Sequence, residues 1–119
     1  MDYNANAMDF KREFQLLKEN SELQNQVNEE LILLGLNNSA KGFLYISDII
    51  TLMLLLKKYT RSFINELEPF IAYKYGIKKD SVQRQLRYVC TIQTDHKFKA
   101  IEVVAIVYRK VRQQMYERG

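Results

Sequence analysis

The chain has 119 residues, 47% of them hydrophobic, with four glycines and one proline, so one domain with a single modest core is expected of it, and a low-complexity composition is excluded. The net charge of +4 is unevenly placed: residues 1–40 hold three Lys/Arg against seven Asp/Glu (−4), and residues 41–119 hold fifteen against seven (+8), so a nucleic-acid partner is expected for the basic part. A lone cysteine excludes an internal disulfide, the longest apolar run (Ile49 to Leu56, broken by Thr51) is too short to span a bilayer, and no apolar signal core precedes Ser21, so a cytoplasmic location is expected.

Met8 to Leu17 can form a charged, weakly amphipathic helix with Phe10, Phe14 and Leu17 on one side. Ser21 and Gln24 have the spacing of a capping box, which would start a second helix; the two pieces could also fuse into one. Leu23, Val27, Leu31 and Leu34 follow at helical spacing until Gly35. A single fused helix would offer an apolar stripe that packs on its own domain or pairs with a second copy. Asn37 to Lys41 is a turn. Gly42 to about Lys58 is apolar nearly all round and predicts a buried central helix. Thr60 can cap a short helix ending at Leu67, with Phe63, Ile64 and Leu67 facing inward.

Glu68 to Thr91, EPFIAYKYGIKKDSVQRQLRYVCT, reads as a helix-turn-helix. Pro69 suits a first helical position, where its missing N–H costs nothing. Gly76 suits a helix stop. Ile77, Lys78 and Lys79 make the turn, and Asp80 or Ser81 can cap the second helix. At about 100° per residue, Val82, Leu86, Val89 and Cys90 share one side of that helix. Arg84 points away from them, Ser81, Arg87, Tyr88 and Thr91 spread around the outer side, and Gln83 and Gln85 lie on the flanks. Guanidinium, amide and hydroxyl groups are those that pair with base edges and phosphates in a major groove. An ordinary amphipathic surface helix would carry a similar pattern. Gln93 to Lys97 is a polar connection in which Asp95 can cap the last helix. Val103, Val104, Ile106, Val107 and Val111 bring that helix onto the core. The expected fold is all-α, a compact domain of five or six helices without a sheet.

Little else offers chemistry. His96 lies in a loop without a second histidine or a cysteine beside it, so no metal is expected. There is no phosphate-binding glycine loop and no nucleophile elbow. The carboxylates fall singly on helix surfaces or at caps, with Asp48 and Glu66 at solvent-facing positions. Neither an enzyme, a cofactor, a membrane nor a small-molecule substrate is expected.

Three pieces in order carry a family resemblance. YKYGIKKDSVQRQLRYV resembles the recognition region of the C-terminal DNA-binding domain of the stage 0 sporulation protein A family. LGLNNSAKGFLYISDII is similar to its opening signature, and EVVAIVYRKVR to its closing helix; together they span about Asn25 to Gln113. The resemblance implies an all-helical domain that binds short DNA boxes near sporulation genes, with a recognition helix at Asp80 to Thr91. It implies base reading by Arg84 and a further contact from Arg87. Gln83 stands where the family usually has glutamate, which would shift preference towards adenine, and Ser81 where it often has arginine.

The division expected is residues 1–20 as a helical extension and 21–119 as the DNA-binding domain. The resemblance implies a phosphorylated receiver domain ahead of it, for which the residues preceding Asn25 are too few, and a longer connection before the last helix. The expected function is a receiver-less, sequence-specific transcriptional regulator that binds double-stranded DNA through Lys78, Lys79, Ser81, Gln83, Arg84, Arg87 and Tyr88. RNA polymerase or a second copy are further candidate partners. The alternative is an interaction module of the same fold that binds or antagonises an intact regulator.

Overall fold

The computed structural model describes residues 7–91 and 98–118. A short 3-10 turn, Ala7–Phe10, leads into six α-helices: α1 (Lys11–Glu19), α2 (Ser21–Leu34), α3 (Lys41–Leu56), α4 (Arg61–Tyr75), α5 (Lys79–Thr91) and α6 (Ala100–Arg118). No strand occurs among the described residues, in agreement with the all-α expectation.

Helix α3 is the axis of the molecule. Phe43, Tyr45, Ile46, Ile49, Ile50, Leu52, Met53 and Leu54 are all buried, and α1, α2, α4, α5 and α6 each pack against it. An apolar helix surrounded on all sides must also satisfy its polar residues internally. Asp48 was expected at the surface but is only 1% exposed. It accepts hydrogen bonds from Gln24 Nε2 (2.5 Å), Lys74 Nζ (2.8 Å) and Tyr75 Oη (2.7 Å). Ser47 donates to Asn28 Oδ1 and accepts from Gln24. This polar seam ties α2, α3 and α4 together where apolar packing alone would leave their relative rotation loose.

The two N-terminal helices are separate, joined at Asn20, and the break falls at Ser21 as expected. The capping box does not form. Asn20 precedes α2 without a side-chain cap, and the Gln24 side chain is engaged at Ser47 and Asp48 instead. Phe10 and Phe14 pack edge-on against Phe70 of α4, at ring centroids 5.6 and 5.0 Å away. The apolar side of α1 is thus spent on its own domain. Helix α2 ends at Gly35 with φ 109°, where Leu36 N–H reaches the Leu31 carbonyl and Gly35 N–H reaches Ile32, a closing motif that needs the left-handed conformation.

Thr60 caps α4 by accepting from Phe63 N–H at 3.1 Å, as its sequence position implied. The helix does not stop at Leu67. It runs on through Pro69, which lies in its interior rather than at a first position. Buried Phe63, Leu67, Phe70 and Ile71 form one uninterrupted stripe, and that packing outweighs the hydrogen bond the Asn65 carbonyl cannot receive from proline. Helix α6 covers the opposite side through Val103, Val104, Val107, Tyr108 and Val111. Ile106, expected inside, is 40% exposed. It lies beyond the edge of the valine stripe, and Tyr108 fills the flank instead, stacked on Tyr59 at 4.7 Å. The expected Asp95 cap, the Gln93–Lys97 connection and His96 lie outside the described residues.

Candidate nucleic-acid interface

The C-terminal half of α4, the turn at Gly76 to Lys78 and α5 form the helix-turn-helix. Gly76 has φ 65°, and the motif seen at Gly35 repeats: Ile77 N–H bonds to Ala72 O and Gly76 N–H to Tyr73 O. Helix α5 begins at Lys79, one or two residues earlier than either expected cap. The Lys78 carbonyl receives Ser81 and Val82 N–H, so Asp80 and Ser81 occupy the first turn. A carboxylate at Asp80 there still favours the positive end of the helix dipole.

Val82, Leu86, Val89 and Cys90 are all buried, as their spacing required. They seat α5 on α3 at Gly42. A Cβ at Gly42 would collide with the Gln85 carbonyl oxygen and stand 2.9 Å from Val89 Cγ1. Glycine therefore sets how closely the two helices approach, and the position of α5 depends on it. Lys74 and Tyr75, in the last turn of α4, anchor the other side of the motif on Asp48. Burial first, then the negative charge of Asp48 and its hydrogen bond, raise the Tyr75 pKa, so the phenol holds its proton and donates.

Lys78, Lys79, Arg84, Arg87 and Tyr88 are exposed, and Ser81 and Gln83 are half-buried. Arg84 donates to Ser81 Oγ at 3.2 Å across one turn of the helix. Thr91 turns its hydroxyl back to the Arg87 carbonyl. Lys74 is paired with Asp48, but among the described residues no carboxylate forms an ion pair with Lys78, Lys79, Arg84 or Arg87. The outer side of α5 thus offers cations, a hydroxyl and an aromatic ring held on a rigid element.

Gln83 is the exception. Its side-chain amide donates to Glu68 Oε1 of α4 at 2.9 Å. Glu68 is 4% exposed, which corrects the expectation that every carboxylate lies at a surface or a cap. Linear spacing could not have paired residues fifteen apart on two crossing helices. Gly42 and Lys74 are likewise unreadable as supports of the site until α3 and α4 are placed beside α5.

Among the described residues, no cluster of His, Cys, Asp and Glu could hold a metal ion, and no helix is long and apolar enough to cross a membrane. The family model described as sporulation initiation factor Spo0A C terminal matches residues 27–116. The match starts inside α2 and ends near the end of α6, so it contains the whole helix-turn-helix and leaves α1 outside. No curated protein and no solved structure matches the chain.

Proposed function

The chain belongs to the family of the sporulation initiation factor Spo0A C-terminal domain, a DNA-binding effector domain, and from that premise we propose that it is a sequence-specific transcriptional regulator reading the major groove of duplex DNA with α5. The observation that carries this reading is the division of α5 into a buried face seated on α3 and an exposed face with Arg84, Arg87 and Tyr88, on which α5 itself places one carboxylate, Asp80 in its first turn, and which holds no ion pair among the described residues. Arg84 projects furthest from the buried face, and a guanidinium can grip guanine O6 and N7 together. Gln83 reads the neighbouring base. Lys78 and Lys79 precede the exposed face and act as point charges on phosphate, with Ser81, Arg87 and Tyr88 completing the contact.

Sites are first selected from a random duplex pool at a stated salt concentration. The parent, Arg84→Ala and Lys78→Ala are then titrated against the preferred site and its single-base variants at several salt concentrations. Losing Arg84 is expected to cost about 1–3 kcal/mol on the preferred site and to flatten discrimination at one base pair. Losing Lys78 is expected to weaken all duplexes alike and to reduce the salt slope by about one unit. Equal loss on every sequence for Arg84→Ala would remove its base-reading role. Absence of duplex binding at low salt by all three would favour the interaction-module reading.

The proposal includes a second copy as partner. Leu33, 78% exposed, and Ile106 line one groove between α2 and α6, with Glu30 on one wall and Arg109 and Lys110 on the other. A two-fold pairing through this groove would bury the leucine and set the acid of one copy near the bases of its mate.

A further inference from the structure

We infer that Glu68, which is buried and would touch no DNA, is a specificity-determining residue: it fixes the sense of the Gln83 amide, so that α5 presents a carbonyl acceptor to a base amino group. The inference rests on the reading of α5 as the DNA-contacting helix and deepens it. A primary amide is nearly symmetric in shape but not in chemistry: one end donates twice and the other only accepts. Free in solvent, a glutamine can turn over about its last torsion and offer either end to the same point in space. Such a residue discriminates poorly between a base that carries an amino group and one that carries a keto group.

The pairing with Glu68 removes that freedom. An ionised carboxylate only accepts, so the amide must direct Nε2 towards Glu68, as the 2.9 Å contact records. The reverse orientation would set amide oxygen against carboxylate oxygen in a site from which water is largely excluded. Glu68 is itself buried on α4, so its carboxylate gains little solvent by leaving the contact. The Gln83 oxygen is left on the side away from Glu68, together with one remaining N–H. In a major groove this arrangement accepts from adenine N6 or cytosine N4, and adenine can use the N–H as well. Guanine and thymine present only acceptors at the corresponding edge, and face the oxygen of Gln83 unfavourably.

The pair can be dissected with four full-length variants, Gln83→Ala, Glu68→Gln, Gln83→Glu and the exchange Glu68→Gln/Gln83→Glu, each measured for melting temperature and for affinity across all four bases at every position of the selected site. The parent should prefer adenine or cytosine over guanine or thymine at one position by about tenfold. Gln83→Ala should lose that preference alone. Glu68→Gln keeps a hydrogen-bonding partner but allows either sense. It should melt close to the parent and retain most of its affinity, while the preference falls to about threefold or less. Gln83→Glu places two acceptors together and should melt lower. The exchange variant carries its amide on α4 and its carboxylate on α5, so the amide can again donate across the pair. It should recover the melting temperature and the amino-base preference. Unchanged preference in Glu68→Gln, with Gln83→Ala altered, would overturn the role of Glu68 and leave DNA reading intact. Unchanged base preference at every position in Gln83→Ala would show that Gln83 touches no base, and would overturn both that assignment and this inference.

Discussion

A methyl group at Gly42 would meet the carbonyl carbon of Gln85 at 2.8 Å, closer than side-chain carbons come to backbone. Gly42→Ala must therefore push α5 away from α3, with an expected loss of about 1–3 kcal/mol from overpacking and weakened duplex binding besides. Leu86→Ala fails in the opposite way. It leaves a hole beneath the same helix, and about 2–5 kcal/mol of stability should go with it. Denaturant titration of both variants checks the pair; wild-type midpoints would show that α5 does not rest on this contact. Cys90 gives a pH signature. Burial pushes its thiol from the ordinary 9.0 up to about 12. Below pH 9 the folded and unfolded thiols both keep the proton. Between 9 and 12 the unfolded thiol ionises first, so stability should fall as pH rises through that window. Cys90→Ala should lose this part of the alkaline slope. The native thiol should also resist alkylation at neutral pH until the chain is unfolded.

Among the elements, those with simple periodicity were legible from residues alone. Helix α3 announced its burial by being apolar on every side, and α5 announced its two faces by the spacing of Val82, Leu86, Val89 and Cys90. What escaped depends on which helix lies beside which. Asp48 is a surface residue by local pattern and becomes an interior one only because α2 and α4 bring Gln24, Lys74 and Tyr75 to it. Pro69 reads as a beginning because the tertiary stripe that carries α4 past it is not a local property. Along α5 and the turn before it, the exposure of Lys78, Lys79, Arg84, Arg87 and Tyr88 was legible, whereas the tether on Gln83 was not. Helix α1 supplies the prediction at this scale. Deleting residues 1–20 would strip Phe10 and Phe14 from Phe70 and Tyr73. The shortened chain should melt lower yet keep its selected duplex site, since the proposed reading face lies on α5. A truncated chain that stays folded and loses specific affinity would place α1 in the DNA contact.

Over the whole sequence, residues 1–40 carry −4 and the remainder +8, so phosphate is drawn to the later part of the chain and not to the earlier. The α2–α6 groove belongs to both parts, and its Leu33 is the residue to alter. Sedimentation of the parent should show concentration-dependent association that Leu33→Asp abolishes without lowering helix content. A parent that stays monomeric at high concentration would remove the second copy from the proposed partners. The seating of α5 also bears on how such a regulator can diverge. Arg84, Arg87 and Tyr88 contribute nothing to the core, so a lineage can exchange them one at a time and sample new operators without passing through an unfolded ancestor. Gln83 has no such liberty, because its partner sits in another helix. Gln83→Glu alone sets two acceptors together and costs stability, and restoring the pair then requires a compensating change at position 68. Target sites recognised by descendants of this chain should therefore drift quickly opposite Arg84 and Arg87, and hold nearly still opposite Gln83.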